Sequence, residues 1–260
     1  MWLPRPNTGA TYDNMRAVKL TVVGCSPAWP NPRGAHSGYL VNNGAGSVLL
    51  DCGPGVLPRL RDMHDWPDLE SIVITHFHLD HWGDLVPWVW GAFYLGAQGI
   101  QPTRPELWVP PGGAAELETF GTLLGFPDMF ERAFRLDEYD DGVPFKADGF
   151  TVTATRVQHY TMQAFALRVE SGGRTLAYSG DTGPGDAVAA NAHNANLFLC
   201  EATLLRGELD GQPRGHLSLE EAEAAFAASG AERLMITHRP AELDGPHGHL
   251  LAQDGLVLDV

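Results

Sequence analysis

Between residues 75 and 81 the chain reads Thr75-His76-Phe77-His78-Leu79-Asp80-His81, which places four metal-ligating side chains within six positions. Imidazole and carboxylate suit zinc, and also manganese or iron. The run follows Ser71-Ile72-Val73-Ile74, a short β-branched stretch that reads as a buried strand. Ligands at the end of a rigid strand are held in fixed geometry, and a tight turn lets neighbours serve two ions. Four unrelated polar residues in a loop would leave that spacing without a cause.

Three further residues occupy similar places. His159 follows the period-two stretch Phe150–Val157, Asp181 lies in Tyr178-Ser179-Gly180-Asp181-Thr182, and His238 follows Leu234-Met235-Ile236-Thr237. Taken singly, His159 and His238 read equally as structural histidines, and Asp181 as an ordinary turn aspartate.

Taken together and in order, these motifs resemble those of the metallo-β-lactamase superfamily, over nearly the whole stretch from Leu20 to His238. The resemblance implies an α/β fold, a four-layered αββα sandwich of mixed sheets with the metals at one edge. It also implies two divalent ions, with zinc expected and manganese or iron as alternatives. His76, His78 and His159 would hold one ion, Asp80, His81 and His238 the other, and Asp181 would bridge them. Asp51 matches the family's first motif. There it would orient a ligand histidine or the turn; a plain strand-end turn aspartate is the other reading.

Local patterns agree with a mixed sheet system covered by helices. Strands are predicted over Lys19–Val23, Ser47–Leu50, Ser71–Thr75, Glu106–Val109, Phe150–Val157, Leu197–Cys200, Arg233–Thr237 and Leu256–Val260. A hairpin of Phe165–Glu170 and Thr175–Ser179 turns at Ser171-Gly172-Gly173. Helices are predicted over Val56–Met63, Trp82–Leu95, Gly113–Leu124 and Leu217–Ser229, the last capped at Ser218 with Glu221 three residues on. Residues 1–14 precede any regular pattern and are expected to be a tag or a disordered extension, with 15–260 as one hydrolase domain.

No apolar run approaches the ~20 residues that span a membrane, and the first residues lack the apolar core of a signal peptide. Cys25, Cys52 and Cys200 are widely spaced and read as reduced thiols, so a cytoplasmic location is expected. The net charge of −15, from 17 basic and 32 acidic residues, opposes a broad nucleic-acid-binding face.

The branch is argued from departures and matches. True β-lactamases commonly carry a cysteine where this chain has Asp181, diiron relatives a glutamate where it has His78, and glyoxalase II-like enzymes a long C-terminal helical domain. Glu201-Ala202-Thr203 and Arg214-Gly215-His216-Leu217-Ser218 resemble elements of ribonuclease Z and its phosphodiesterase relatives. The resemblance implies that His216 assists phosphodiester cleavage while Glu201 fixes its tautomer; the plainer reading of His216 is a helix flank. Only a hairpin's length separates His159 from Asp181, so the long arm of the tRNA-processing members has no sequence to be made from.

The expected function is that of a dinuclear metal hydrolase. It would cleave small phosphodiesters, cyclic nucleotides or similar, with a metal-bridging hydroxide oriented by Asp80. A lactonase or other carboxylic-ester hydrolase, a ribonuclease Z-type tRNA endonuclease and a non-catalytic metal-bound binding protein are the alternatives. The partner is a small-molecule substrate; a homodimer stays open. Trp82 and His36 are the candidates for the substrate pocket, with hydrophobic core as the other reading for the aromatics from Trp82 to Tyr94. His247 and His249 are free by spacing to approach the site.

Overall fold

The computed structural model describes residues 17–63, 66–243, 245 and 248–260. The expectation for residues 1–14 and the place of His247 lie outside the described residues.

The first half of the chain builds six strands of one seven-stranded sheet, which the last strand of the chain completes, and the second half builds the other. Its elements in order are β1 (Lys19–Gly24), β2 (Gly38–Asn42), β3 (Ser47–Leu50), α1 (Val56–Met63), β4 (Ser71–Val73), α2 (Leu79–Trp82), α3 (Leu85–Ala97), β5 (Glu106–Val109), α4 (Gly113–Leu123), α5 (Met129–Ala133) and β6 (Arg135–Glu138). The second half follows with β7 (Phe145–Ala147), β8 (Phe150–His159), β9 (Met162–Ser171), β10 (Arg174–Tyr178), α6 (Asp186–Asn191), β11 (Leu197–Glu201), α7 (Leu219–Ser229), β12 (Leu234–Thr237), β13 (Leu250–Leu251) and β14 (Val257–Asp259). The strand orders are β14-β1-β2-β3-β4-β5-β6 and β13-β12-β11-β10-β9-β8-β7.

Three apolar clusters set the layering. Tyr39, Val41, Leu50, Phe150, Val152, Leu167, Leu199 and Met235 meet between the sheets. Leu57, Leu60, Trp88, Val89, Leu117 and Phe130 bury the outer helices against the first sheet. Val188, Ala192, Phe198, Leu217 and Ala222 do the same on the second. The αββα sandwich is therefore present. Each sheet pairs antiparallel on one side and parallel on the other. β3, β4, β5 and β6 run parallel in the first sheet, and β10, β11, β12 and β13 in the second. The carboxyl ends of parallel strands leave a crevice where loops can place chemistry.

Several boundaries differ from the sequence reading. The strand expected over Ser71–Thr75 ends at Val73, because Ile74 and Thr75 already turn their backbones to Trp108 and Asp51. The helix expected from Trp82 to Leu95 is broken at Gly83 and Asp84. There the Asp84 carboxylate turns aside to accept the Leu57 N–H at 2.7 Å. Ser218 caps α7 with a full capping box to Glu221, as the sequence predicts. No helix of the described residues is long and apolar enough to cross a membrane.

Candidate metal centre

The site assembles at strand ends: residues just past β3, β4, β10 and β12, together with His159, the last residue of the antiparallel strand β8. Asp51 follows β3 and adopts a left-handed backbone at φ 60°, uncommon for a residue with a side chain. From there its buried carboxylate gathers four donors. They are the Thr75 N–H at 2.8 Å, the Thr75 hydroxyl at 3.0 Å, the Tyr178 hydroxyl at 2.9 Å and His81 Nδ1 at 2.7 Å. Asp51 thus ties the ligand run to both sheets and orients His81. Gly53, two residues on, stands so close to the run that a Cβ there would lie 1.9 Å from the Asp80 carbonyl oxygen and 2.7 Å from the His36 Cβ.

Two groups of donors result. The nitrogens of His76, His78 and His159 and a carboxylate oxygen of Asp181 lie within 4.8 Å of one another, as do donor atoms of Asp80, His81, Asp181 and His238. Asp181 belongs to both and divides its oxygens between them. Oδ2 faces His76 Nε2 at 3.8 Å and His159 Nε2 at 3.9 Å, while Oδ1 faces His81 Nε2 at 3.2 Å and His238 Nε2 at 3.6 Å.

Hydrogen bonds on the far side of the rings set which nitrogen faces inward. His159 Nδ1 donates to the Gly215 carbonyl at 2.6 Å, and the Thr75 hydroxyl, which donates to Asp51, accepts from His76 Nδ1 at 3.0 Å. The Thr203 hydroxyl donates to Glu201 at 2.7 Å and accepts from His238 Nδ1 at 2.8 Å. In each case Nε2 is left with its lone pair directed into the site, the arrangement that fixes a ligating tautomer.

The donor set fits divalent ions. His81 Nε2 and Asp181 Oδ1 approach to 3.2 Å without the alignment of a hydrogen bond, and both are buried without a partner. A buried polar atom left so costs about 1–3 kcal/mol; a shared cation would satisfy both. Burial lowers the pKa of His76, His78 and His159, which keeps their nitrogens neutral and available. Burial opposes charge on His81 too, but Asp181, Asp51 and Asp80 outweigh it and hold that ring protonated. An ion binding there would displace the proton.

Beside these groups stands the Glu201–His216 pair. Glu201 is fully buried at the end of β11; its Oε1 accepts from His216 Nδ1 at 2.8 Å and from the Thr182 N–H at 2.9 Å. The His216 ring stacks on His238 with centroids 5.8 Å apart and meets His159 edge-on at 5.0 Å. Burial lowers the His216 pKa, but the Glu201 carboxylate more than offsets this and pushes it up to about 9.

The pocket residues come out differently. Trp82 is 5% exposed and points away from the ligands. Its ring packs on Phe77, Phe120 and Phe130, and its indole N–H donates to the Phe77 carbonyl at 3.0 Å. It is therefore core rather than pocket wall: successive side chains on a helical turn point about 100° apart, so Trp82 need not face the way His81 does. His36 lies across Gly53 from Asp80, its Nδ1 2.9 Å from the Pro27 carbonyl. His249 sits away from the site against Phe226 and Glu223 of α7. A cavity of about 370 Å³ opens instead beside His78, lined by Phe77, Pro110, Pro111, Glu116, Tyr160 and Met162 among others. Tyr160 carries no motif that would single it out by spacing, and Thr203 lies in the Glu201-Ala202-Thr203 element without a role assigned to it there.

Known proteins share this plan. The Mycobacterium leprae protein ML1173 is 31% identical over 93% of this chain and 89% of its own. A ribonuclease Z of Mycobacterium bovis is 27% identical over 85% of each. The crystal structure of the metallo-β-lactamase fold protein YhfI from Bacillus subtilis, a probable metallo-hydrolase, superposes with a TM-score of 0.79 at 26% identity, covering 94% of this chain and 100% of that one. The model of the beta-lactamase superfamily domain matches residues 47–239, which include all seven residues of the two donor groups. With that match and this sandwich, the chain belongs to the metallo-β-lactamase superfamily of hydrolases.

Proposed function

We propose that this protein hydrolyses small phosphodiesters, with cyclic nucleotides the first candidates. The observation that carries the reading is the His216 imidazole. It is held by Glu201 at 2.8 Å and lies edge-on to His159 at the margin of the paired donor groups. A phosphodiester expelling an alkoxide gains directly from a nearby proton donor.

His76, His78, His159 and Asp181 would hold one divalent ion, and Asp80, His81, His238 and Asp181 the other. Bound there, the ions supply Lewis acidity and a water nucleophile at neutral pH. The chain's own groups do the rest. Asp80 and Asp181 offer carboxylate oxygens to orient the attacking water. His216, as the imidazolium, delivers its Nε2 proton to the departing oxygen, and the Glu201 carboxylate, which accepts the Nδ1–H, stabilises that charged form. Phe77 and Tyr160 offer apolar surface to the rest of the substrate in the cavity beside His78.

Substrate size follows from shape and charge. Residues between His159 and Asp181 form only the β9–β10 hairpin, closed by pairing of Ser171 with Arg174. The charge of −15 gives little to grip a polyanion. The ribonuclease Z relative makes tRNA the competing substrate. The buried free thiols of Cys25, Cys52 and Cys200 support a reducing, cytoplasmic setting. The test is a side-by-side assay of zinc- or manganese-loaded protein on bis-p-nitrophenyl phosphate, cyclic nucleotides, a lactone panel and precursor tRNA. Turnover of small diesters above the other classes is the expected result; activity on lactones alone would overturn it.

A further inference from the structure

Behind His216, one carboxylate outside the donor groups collects five hydrogen bonds. The Asp210 side chain is 2% exposed. Its Oδ1 accepts from the Tyr160 hydroxyl and the Gly211 N–H, both at 2.9 Å. Its Oδ2 accepts from the Gly215 N–H at 2.7 Å, the His216 N–H at 3.0 Å and Arg214 Nε at 3.2 Å. Burial alone would raise its pKa; the Gly215 and His216 N–H groups and the Tyr160 hydroxyl outweigh that and hold it well below the usual carboxylate range. Hydrogen bonds to an ionised acceptor are the strong ones.

The turn organised in this way has two outputs. The Gly215 carbonyl receives the Nδ1 proton of His159, and the next residue carries the His216 imidazole. The turn is closed from both sides. The Tyr160 N–H donates to the Arg214 carbonyl at 3.0 Å, and the Arg214 guanidinium bridges to Glu221 at 2.8 Å and to the His216 carbonyl at 3.0 Å. Tyr160 lies against Gly215 so closely that a Cβ there would come within 2.3 Å of the ring. Its ring also meets His216 edge-on at 5.5 Å.

We propose that Asp210 is a positioning residue: it fixes the Arg214–His216 turn so that the His216 imidazole is aimed at the leaving-group oxygen. The proposal rests on the proton-donor reading of His216 given above. In that step a bond forms from water oxygen to phosphorus and the bond to the leaving oxygen breaks. The attacking water gives up one proton to solvent, the Nε2 proton of the His216 imidazolium goes to the leaving oxygen, and solvent reprotonates the ring.

The test contrasts leaving groups in the metal-loaded protein. A p-nitrophenolate departs as a stable anion and needs no proton, whereas the alkoxide of a cyclic nucleotide does. Asp210→Asn should lower kcat on the cyclic nucleotide by about tenfold or more, with KM and turnover of bis-p-nitrophenyl phosphate within about twofold. Tyr160→Phe, which removes one donor and keeps the ring, should shift the same ratio less; it decides the matter if Asp210→Asn does not fold. A second readout is independent of catalysis. Amide hydrogen exchange at Gly215 and His216 should quicken in Asp210→Asn while zinc content stays at the wild-type value. Equal losses on both diesters, or unchanged exchange at those amides, would overturn the proposal. If wild-type protein cleaves esters and no phosphodiester, the functional reading fails. The positioning role is then decided by the same contrast between alkyl and aryl esters and by the exchange rates.

Discussion

Glu201 Oε1 lies 2.8 Å from His216 Nδ1, and its Oε2 accepts the Thr203 hydroxyl that contacts His238 Nδ1 at 2.8 Å. One buried carboxylate therefore orients both the candidate proton donor and a candidate ligand. Removing the donor should leave the ligands in place. His216→Ala is expected to keep its metal and to slow cleavage of diesters that expel an alkoxide by about 10²–10⁴-fold, the usual scale for a lost general acid. Steady-state kinetics beside elemental analysis checks this. Normal metal content with wild-type turnover on every diester would reduce His216 to a helix-flank residue.

The same pair sets a pH dependence. The folded His216 pKa of about 9 exceeds its ordinary 6.5, because the Glu201 carboxylate outweighs the effect of burial. A raised value means that the pair's stabilisation is fully present below about pH 6.5 and is lost as pH rises through about 9. Divalent ions a few ångströms away disfavour the imidazolium, so loading the site should lower the value. An NMR titration of the His216 ring with and without zinc reads both; a value that rises on zinc binding would contradict the placement of His216 beside the ions.

Asp51 is the natural target for a test of the scaffold. Asp51→Asn replaces an acceptor of four donors with a group that must present an amide to one of them. Tyr178, Thr75 and His81 are all buried, so the mismatch has no solvent to relieve it. We expect metal affinity to fall by about 10–100-fold, as for other groups that orient a ligand, together with a lower thermal midpoint. Competition with a chelator and thermal unfolding measure the two effects separately. Unchanged affinity would make Asp51 a fold residue only.

The legible part of this site was the part written in contiguous residues. Val73 and Ile74 announce a strand and His76 to His81 follow it directly, so the ligand run can be found without a structure. Asp181 and His238 each lie just past a short apolar strand, but only their place in the family's motif order marks them as ligands. Trp82 was misplaced because adjacency to His81 says nothing of direction, and the α2 turn sends its indole into the core. β2 was missed because Gly-Tyr-Leu-Val-Asn is short and follows a Gly/Pro-rich loop. The Asp210–Tyr160 contact spans fifty residues and depends on where two loops meet, which no local period encodes.

Asp181 carries the strongest expectation about metal. Its two oxygens face different donor groups, and Oδ1 is buried without a partner. Protein purified without chelator should hold about two equivalents of divalent metal, the count of a two-metal site with a shared ligand. Asp181→Ala should lose at least one equivalent, since two cations would then face each other without the carboxylate between them. Elemental analysis gives the number; a reproducible wild-type value below one equivalent would count against a paired site.

The last prediction concerns what the enzyme can hold. A tRNA is gripped through many phosphates, and each contact made by Lys or Arg adds affinity that falls with salt. This chain offers 17 basic residues against 32 acidic ones, and β9 and β10 return directly to the site without a projecting arm. The cavity beside His78 holds about 370 Å³, within the usual range of small-molecule sites. Cyclic nucleotides and other small diesters should therefore be turned over with little dependence on ionic strength, while precursor tRNA should be cut poorly and worse as salt rises. Kinetics on both substrates across a salt series separates the cases. Efficient, site-specific 3′ trimming of precursor tRNA at physiological salt, with no turnover of small diesters, would falsify the small-substrate reading. It would also mean that surfaces outside the cavity supply the grip.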